Sequence, residues 1–113
     1  MAKYVFVVMT NPAEGQEEEY NRWYDNQHLP DVLKVEGFVA AQRFKLAPVE
    51  SGNAKATHSY MALYEAETDD LARVQKALGA AAGTDAMPMS PALETRGLSA
   101  VWYQVAGERQ LAR

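Results

Sequence analysis

The sequence predicts one α+β domain with the element order β-α-β-β-α-β, an antiparallel four-stranded sheet that carries two helices on one face. The first observation is that four short runs of β-branched and aromatic residues alternate with two stretches of helical periodicity in this order. The second is that 113 residues, 48% of them hydrophobic, suit one domain with a modest core. We therefore assign residues 1–106 to a ferredoxin-like domain and residues 107–113 to a C-terminal tail.

The first strand is followed closely by the first helix. Residues 3–9, KYVFVVM, are apolar on both faces of the predicted strand, so both faces should be covered. Asn11 is expected to cap the helix, although Gly15 allows a start one turn later. Pro30 keeps the residue before it away from helical dihedrals, so the helix is expected to end near His28.

The second half of the chain supplies two more strands and a helix. Residues 37–46 and 57–65 have the composition of strands, and the polar stretch between them suits a long hairpin loop. Thr68 is expected to cap the second helix. The buried stripe of that helix is predicted to consist of Leu71, Val74 and Leu78.

A long segment and a last strand complete the domain. Residues 79–98 are rich in Ala, Gly, Pro and Met, and loops of this length often cover binding sites. Met87 and Met89 within it could form an adaptable apolar lid over a substrate, or could simply fill the loop. Residues 99–106, SAVWYQVA, are predicted to be the last strand.

Composition and charge exclude several classes of function. The net charge is −4 and the eleven Lys and Arg residues are scattered, so no nucleic-acid surface is predicted. The chain has no cysteine, which removes disulfides, iron–sulfur clusters and cysteine-based zinc sites. His28 and His58 are thirty positions apart, so no metal site is predicted. No apolar run suits a membrane span or a signal peptide, and we expect a cytoplasmic protein without membrane contact.

His28 is the main candidate for chemistry. At the predicted end of a helix, with Asp25 one turn before it and Asp31 after it, its protonated form would be favoured. Such an imidazole could donate and accept protons near neutral pH, but it could equally cap the last carbonyls of the helix. Asp25 could orient the imidazole, although a plain surface acid is the alternative.

Aromatic residues on the same helix are the next candidates. Tyr24 lies nearly one turn before His28 on the same face and could bond to the oxygen of a reacting group. Trp23 is a candidate for substrate binding, with a core position as the alternative.

The strands provide further candidates. Tyr60 and Tyr64 alternate onto one face of the third strand together with His58, and their hydroxyls suit the wall of a pocket. Tyr60 is assigned a catalytic role beside His28 and Tyr24, while Tyr64 is assigned to substrate binding. Arg43 could hold a carboxylate or an enolate in a bidentate grip, or could form an ion pair with one of the many acids.

Residues 17–46, EEEYNRWYDNQHLPDVLKVEGFVAAQRFKL, resemble the EthD-like family of the dimeric α+β barrel superfamily. In that family a helix with W-Y-x-x-x-H-x-P leads through V-x-G-F into a strand with A-x-R-F. The resemblance implies a homodimer whose open sheet faces meet, a small pocket in each subunit, and the motif histidine at that pocket. The apolar character expected for the open sheet face predicts the same twofold dimer.

Together these features predict a cofactor-independent acid–base enzyme, a lyase, isomerase or cyclase that acts on a small aromatic or polyketide-like carbonyl compound. His28 would shuttle the proton, and Tyr24, Tyr60 or Tyr64 would stabilise the developing oxyanion. The resemblance leaves two alternatives open. One is a monooxygenase that is cofactor-free or linked to haem, and the other is a non-catalytic carrier or stress protein that binds small ligands.

Overall fold

The centre of the structure, a computed structural model that describes residues 1–52 and 54–113, is an antiparallel sheet. Its strands are β1 (Ala2–Pro12), β2 (Phe38–Lys45), β3 (Tyr60–Thr68) and β4 (Leu93–Gln104), in the spatial order β2-β3-β1-β4. A helix in three stretches follows β1: α1 (Glu17–Trp23), a π-helical turn (Tyr24–His28) and α2 (Leu29–Val32). Helix α3 (Leu71–Ala81) lies between β3 and β4. This is the ferredoxin-like α+β fold that the sequence predicts.

The register of the strands separates a core face from an open face. Phe6 lies opposite Tyr64 on one side and Trp102 on the other, and these three side chains share the face on which the helices pack. The residues between them point to the opposite face. That open face carries the side chains of Val5, Val7, Met9, Phe44, Met61, Leu63, Val101 and Tyr103. Val101 is 43% exposed and Tyr103 is 59% exposed, so the open face is apolar and accessible in the single chain.

The first helix begins later than predicted, because β1 is longer than its apolar run. The strand continues through Pro12, where Asn11 pairs with Glu94 of β4. Asn11 therefore does not cap a helix. Its side chain bonds to the segment before β3, donating to the Thr57 carbonyl at 3.1 Å and accepting from the Ser59 N–H at 2.7 Å. Pairing across the sheet takes precedence here over local capping.

The helix also continues past His28, contrary to the prediction. Leu29 is helical (φ −57°, ψ −49°), and its N–H bonds to the Tyr24 carbonyl five residues back. Pro30 has no N–H to donate, so a helix that contains it must leave a carbonyl without its usual partner. The wider π turn directly before Pro30 accommodates this defect, and such turns are frequent at functional sites.

Several element boundaries in the second half of the chain also differ from the prediction. The third strand runs to Thr68, and Asp70 rather than Thr68 caps α3 by accepting a hydrogen bond from the Arg73 N–H at 3.1 Å. The stretch without regular structure is 82–92 and not 79–98, since α3 extends to Ala81 and β4 begins at Leu93. Within the two described ranges, no helix is both long enough and apolar enough to cross a membrane.

Candidate functional site

An apolar cavity of about 210 Å³ lies between the sheet and the segments that cover it. The sheet, the helices and the segment 82–92 all contribute side chains to its wall. They are Phe6, Val8, His28, Val32, Tyr64, Leu78, Ala82, Met87, Met89 and Ala100. Cavities of about 150 Å³ are known to bind benzene, so this space suits a compound with one ring.

Two polar side chains line this otherwise apolar cavity, and both have an unsatisfied atom. The Nδ1 atom of His28 and the hydroxyl of Tyr64 are buried without a hydrogen-bond partner among the described residues. Leaving a buried polar group unpaired costs about 1–3 kcal/mol, and native structures contain few such groups. Because both orphaned atoms belong to residues of one cavity wall, the geometry favours a ligand that supplies the missing partners.

His28 owes its position to the π turn. In an α-helix, residues five apart are rotated by about 140° around the axis, so Trp23 and His28 would not stack. The wider turn brings the two rings together, with centroids 4.6 Å apart and planes inclined by 25°. Tyr24 contacts the imidazole edge-on at 5.2 Å. These two aromatic side chains therefore hold the imidazole in one orientation at the cavity wall.

This enclosure determines the charge of His28. Burial lowers its pKa to about 4, against an opposing effect from the nearby Asp31 carboxylate. The imidazole is therefore neutral at pH 7. The prediction that its protonated form would be favoured is wrong, because the helix does not end at His28 and aromatic rings replace the water around it.

The carboxylate that was expected to orient the imidazole is engaged elsewhere. Asp25 accepts a hydrogen bond from Arg43 at 2.8 Å, and the other arm of the guanidinium donates to Asn21 at 2.7 Å. Residues 1–52 and 54–113 offer no hydrogen-bond partner to the Nδ1 atom of His28. Arg43 forms the ion pair that was the alternative to a substrate grip, and it is absent from the cavity wall.

The predicted tyrosines lie at different distances from the cavity. Tyr64 lines it, whereas Tyr24 is not part of its wall and contacts the His28 ring instead. Burial raises the pKa of both phenols. For Tyr64 the dominant cause of the raised pKa is burial. Tyr60 is turned away, with its hydroxyl donating to Glu17 at 2.5 Å and accepting from Asn21 at 3.2 Å.

The segment 82–92 forms one side of the cavity, as expected for a cover. Met87 is buried and Met89 is 44% exposed, and both contribute to the wall. The indole N–H of Trp23 donates to the Pro88 carbonyl at 3.1 Å, which fastens this segment to the helix that carries His28. Its location agrees with a lid, while movement of the segment stays a prediction.

Sequence reasoning missed the polar residues behind the cavity. Thr10 is 1% exposed, and its hydroxyl hydrogen-bonds with that of Tyr20 at 2.5 Å. The available signal was the two-residue alternation of β1, which places Thr10 on the same face as Phe6 and Val8. His58, the other candidate of the third strand, lies before β3, where its Nε2 atom hydrogen-bonds with the Gly97 carbonyl at 2.5 Å.

Comparison with known proteins adds a family and a set of similar folds. Residues 3–86 match the family described as a domain of unknown function, DUF4286. The search of curated proteins found no match. Among solved structures, a candidate monooxygenase from Shewanella loihica PV-4 aligns with a TM-score of 0.61 and 13% identity, over 95% of this chain and 97% of that chain.

Two further solved structures have similar folds. An ethyl tert-butyl ether D (EthD) family protein from Bacillus halodurans C-125 aligns with a TM-score of 0.57 and 22% identity, over 97% of this chain and 100% of that chain. The haem-degrader MhuD from Mycobacterium tuberculosis has two haems bound in its active site. It aligns with a TM-score of 0.57 and 19% identity, over 95% of this chain and 99% of that chain. These likenesses show a fold of the dimeric α+β barrel type and confirm the resemblance at that level.

The haem of that last structure prompts a test of fit in this one. The buried Nδ1 atom of His28 is of the type that ligates haem iron. The cavity, however, has about 210 Å³, whereas pockets for drug-sized ligands have about 300–1,000 Å³ and haem exceeds most such ligands in size. The residues present therefore do not fit a haem in this cavity.

Proposed function

The chain belongs to the DUF4286 family, and we propose that it is an acid–base enzyme, a lyase, isomerase or cyclase that acts without a cofactor on a small single-ring carbonyl compound. The observation that carries this proposal is the pair of unpartnered polar groups, the His28 imidazole and the Tyr64 hydroxyl, on the wall of one apolar cavity. A ligand with a carbonyl oxygen and an acidic C–H group would satisfy both.

In the proposed reaction His28 acts as the base. Its lowered pKa keeps the imidazole neutral at pH 7, so a lone pair is available to accept a proton from the carbon next to the carbonyl group. The positive charge that then forms on the imidazole is stabilised by the enolate formed beside it and by Asp31. The same imidazolium can return the proton to another carbon or to a leaving group, which are the steps that distinguish an isomerase from a lyase.

In the proposed reaction, Tyr64 stabilises the negative charge that develops on the carbonyl oxygen. Burial raises the pKa of its hydroxyl, so the group stays protonated and can donate to the carbonyl oxygen as negative charge develops there. A donor that is already in place and shielded from water needs no reorganisation during the reaction, and such donors contribute about 10² to 10³ in rate. The wall around the two groups is otherwise apolar and includes Phe6 and Met87.

The other predicted site residues have supporting roles in this proposal. Trp23 holds the imidazole by stacking, and Tyr24 contacts it edge-on. Arg43 and Tyr60 lie outside the cavity wall, so neither is placed against the substrate. The homodimer remains part of the proposal, and the accessible apolar face of the sheet supports it.

The experiment is a turnover screen by mass spectrometry with cyclic ketones, lactones, phenols and short polyketides, without added cofactor. His28→Gln and Tyr64→Phe test the two groups, while His58→Gln and Tyr4→Phe are matched replacements outside the cavity. A product that the first two variants form about 10² to 10⁴ times more slowly, and the controls form at the normal rate, supports the proposal. Equal turnover by all variants contradicts it.

The same screen separates the alternative functions. Binding of single-ring ligands without any turnover would support a carrier, and oxygen uptake with a phenol would support a cofactor-free monooxygenase. The cavity alone is compatible with a carrier, since its wall is almost wholly apolar. We favour the enzyme because a carrier of apolar ligands gains nothing from two buried polar atoms that lack partners.

A further inference from the structure

We infer that the cavity takes its ligand with the carbonyl group first, and that the substrate is a single-ring ketone with an unbranched apolar chain opposite that group. The chain leaves the cavity through a mouth formed by Ala82, Met89 and Ala100. This inference rests on the proposed function, because it uses His28 and Tyr64 as the groups that bind the carbonyl end. It extends that function by naming the shape of the substrate and three residues that select it.

The wall of the cavity is buried at one end and exposed at the other. Among the described residues of the wall, the exposed ones are Ala82, Met89 and Ala100. The Nδ1 atom of His28 and the hydroxyl of Tyr64 are buried. The two polar groups therefore lie at the closed end, and a ligand that reaches them has to enter through the exposed end.

The sheet sets the distance between the two ends. Tyr64 lies on β3 and Ala100 on the edge strand β4, with β1 between them. Ala100 pairs with Val8 of β1, so its side chain lies on the core face, as that of Tyr64 does. Adjacent strands are about 4.8 Å apart, so the two backbones are separated by roughly 10 Å. A ring whose carbonyl group bonds to Tyr64 therefore directs its opposite side toward the mouth.

The volume of the cavity limits what can stay inside it. The space of about 210 Å³ suits one ring, since cavities of about 150 Å³ bind benzene. A chain of several methylene groups exceeds the remaining space and has to pass the mouth. The methyl side chains of Ala82 and Ala100 are small enough to leave room for it, and contact with them removes apolar surface of the chain from water.

Met89 is the movable part of the mouth. It is 44% exposed although it lines the cavity, and its unbranched side chain can adapt to a ligand. The backbone directly before it is held in place, because the Trp23 indole N–H donates to the Pro88 carbonyl at 3.1 Å. A change of the Met89 rotamer therefore lets a straight chain pass, whereas we expect a branched group next to the ring to collide with this side chain.

The test measures the binding of acetophenone and its alkyl derivatives by isothermal titration calorimetry. In para-propylacetophenone the chain lies opposite the carbonyl group, and in ortho-propylacetophenone the same chain lies beside it. The two compounds therefore differ in the direction of the chain and have the same apolar groups. Ala82→Leu and Ala100→Leu narrow the mouth, and Ala80→Leu is the matched control, because Ala80 is an exposed residue of α3 outside the cavity wall.

We expect the wild type to bind para-propylacetophenone about tenfold more tightly than acetophenone, since each methylene group buried against the mouth contributes about fourfold. The ortho compound should bind no more tightly than acetophenone. Ala82→Leu and Ala100→Leu should each remove most of the gain and retain the binding of acetophenone, while Ala80→Leu keeps the gain. Met89→Ala should bind para-tert-butylacetophenone more tightly than the wild type does.

Equal affinity of the wild type for the ortho and para compounds would overturn the inference, and so would a gain that both Ala82→Leu and Ala100→Leu retain. If one leucine variant does not fold, the other variant and Met89→Ala decide. No binding of any of these ketones would overturn the inference together with the cavity.

The result does not depend on turnover, so it separates this inference from the proposed function. Tighter binding of the para compound without exchange of α-protons in any ketone would support the mouth and reject the enzyme. Exchange in acetophenone without a preference for the para compound would support the enzyme and reject the mouth.

Discussion

Replacing His28 by glutamine tests whether the imidazole is buried in its neutral form. The pKa of an unperturbed histidine is 6.5, and burial lowers that of His28 to about 4 in the folded protein. Below pH 6.5 the unfolded chain therefore binds a proton that the folded chain does not bind. The stability that this histidine contributes is complete above pH 6.5 and is lost as the pH falls toward 4.

The size of the effect follows from the two pKa values. A difference of one in pKa is worth about 1.36 kcal/mol, so the full effect is about 3 kcal/mol. Between pH 7 and pH 4.5, most of this is lost, and the free energy of unfolding should fall by about 2 kcal/mol from His28 alone. Acidic residues also titrate in this range, but they are present in both proteins and cancel in the comparison.

The assay is urea unfolding of wild type and His28→Gln at both pH values. We expect the wild type to lose about 2 kcal/mol more than the variant when the pH is lowered. An equal loss in the two proteins would refute the neutral, buried imidazole. NMR titration of the imidazole signals gives the pKa directly, and His58→Gln assigns the signal of His28, because the chain has two histidines.

Three other predictions concern the cavity, the packing of the helix and the dimer. Tyr64→Phe removes a buried hydroxyl that has no hydrogen-bond partner in the described part of the chain. The free energy of unfolding should therefore change by less than about 1 kcal/mol while turnover falls. A loss above about 2 kcal/mol in urea unfolding would mean that the hydroxyl is satisfied. Gly37→Ala should lower the free energy of unfolding by more than about 2 kcal/mol. Gly37 has a φ of +96°, and a Cβ there would lie 2.6 Å from a methyl carbon of Val74. Gly79→Ala, with open space around the new Cβ, should be neutral or stabilising in the same unfolding assay. Val101→Glu puts a charge on the open sheet face and should convert a dimer to a monomer in light scattering, and an unchanged mass would reject this face as the interface.

The order of the elements could be predicted from the sequence because each one has a local signal. The alternation of Phe6 and Val8 and the helical spacing of Leu71, Val74 and Leu78 are visible in any short window. The ends of the elements depend on partners far away in the chain. β1 extends to Pro12 because β4 pairs with it there, and no local sequence pattern predicts that contact.

The residue types of the candidate site could be predicted from the sequence, whereas the contacts between distant residues could not. His28 and Tyr64 are conspicuous as residue types, and the structure brings both to one cavity. The charge of His28 could not be predicted, because it depends on a π turn that stacks Trp23 on the imidazole. The grouping of Thr10 with Tyr20, and of Arg43 with Asp25, arises from contacts between separate elements, so spacing along the chain could not reveal it.

The most direct test of the central claim is the exchange of α-protons in deuterated water, followed by NMR with cyclohexanone and acetophenone as single-ring ketones. This exchange reports proton abstraction beside a carbonyl group whatever the complete reaction is. We predict that the wild type accelerates the exchange and that His28→Gln slows it about 10² to 10⁴ times, with Tyr64→Phe also slowed and His58→Gln unaffected. Exchange at the uncatalysed rate, with either ketone bound to the wild-type cavity, would contradict the claim that His28 and Tyr64 form an acid–base site.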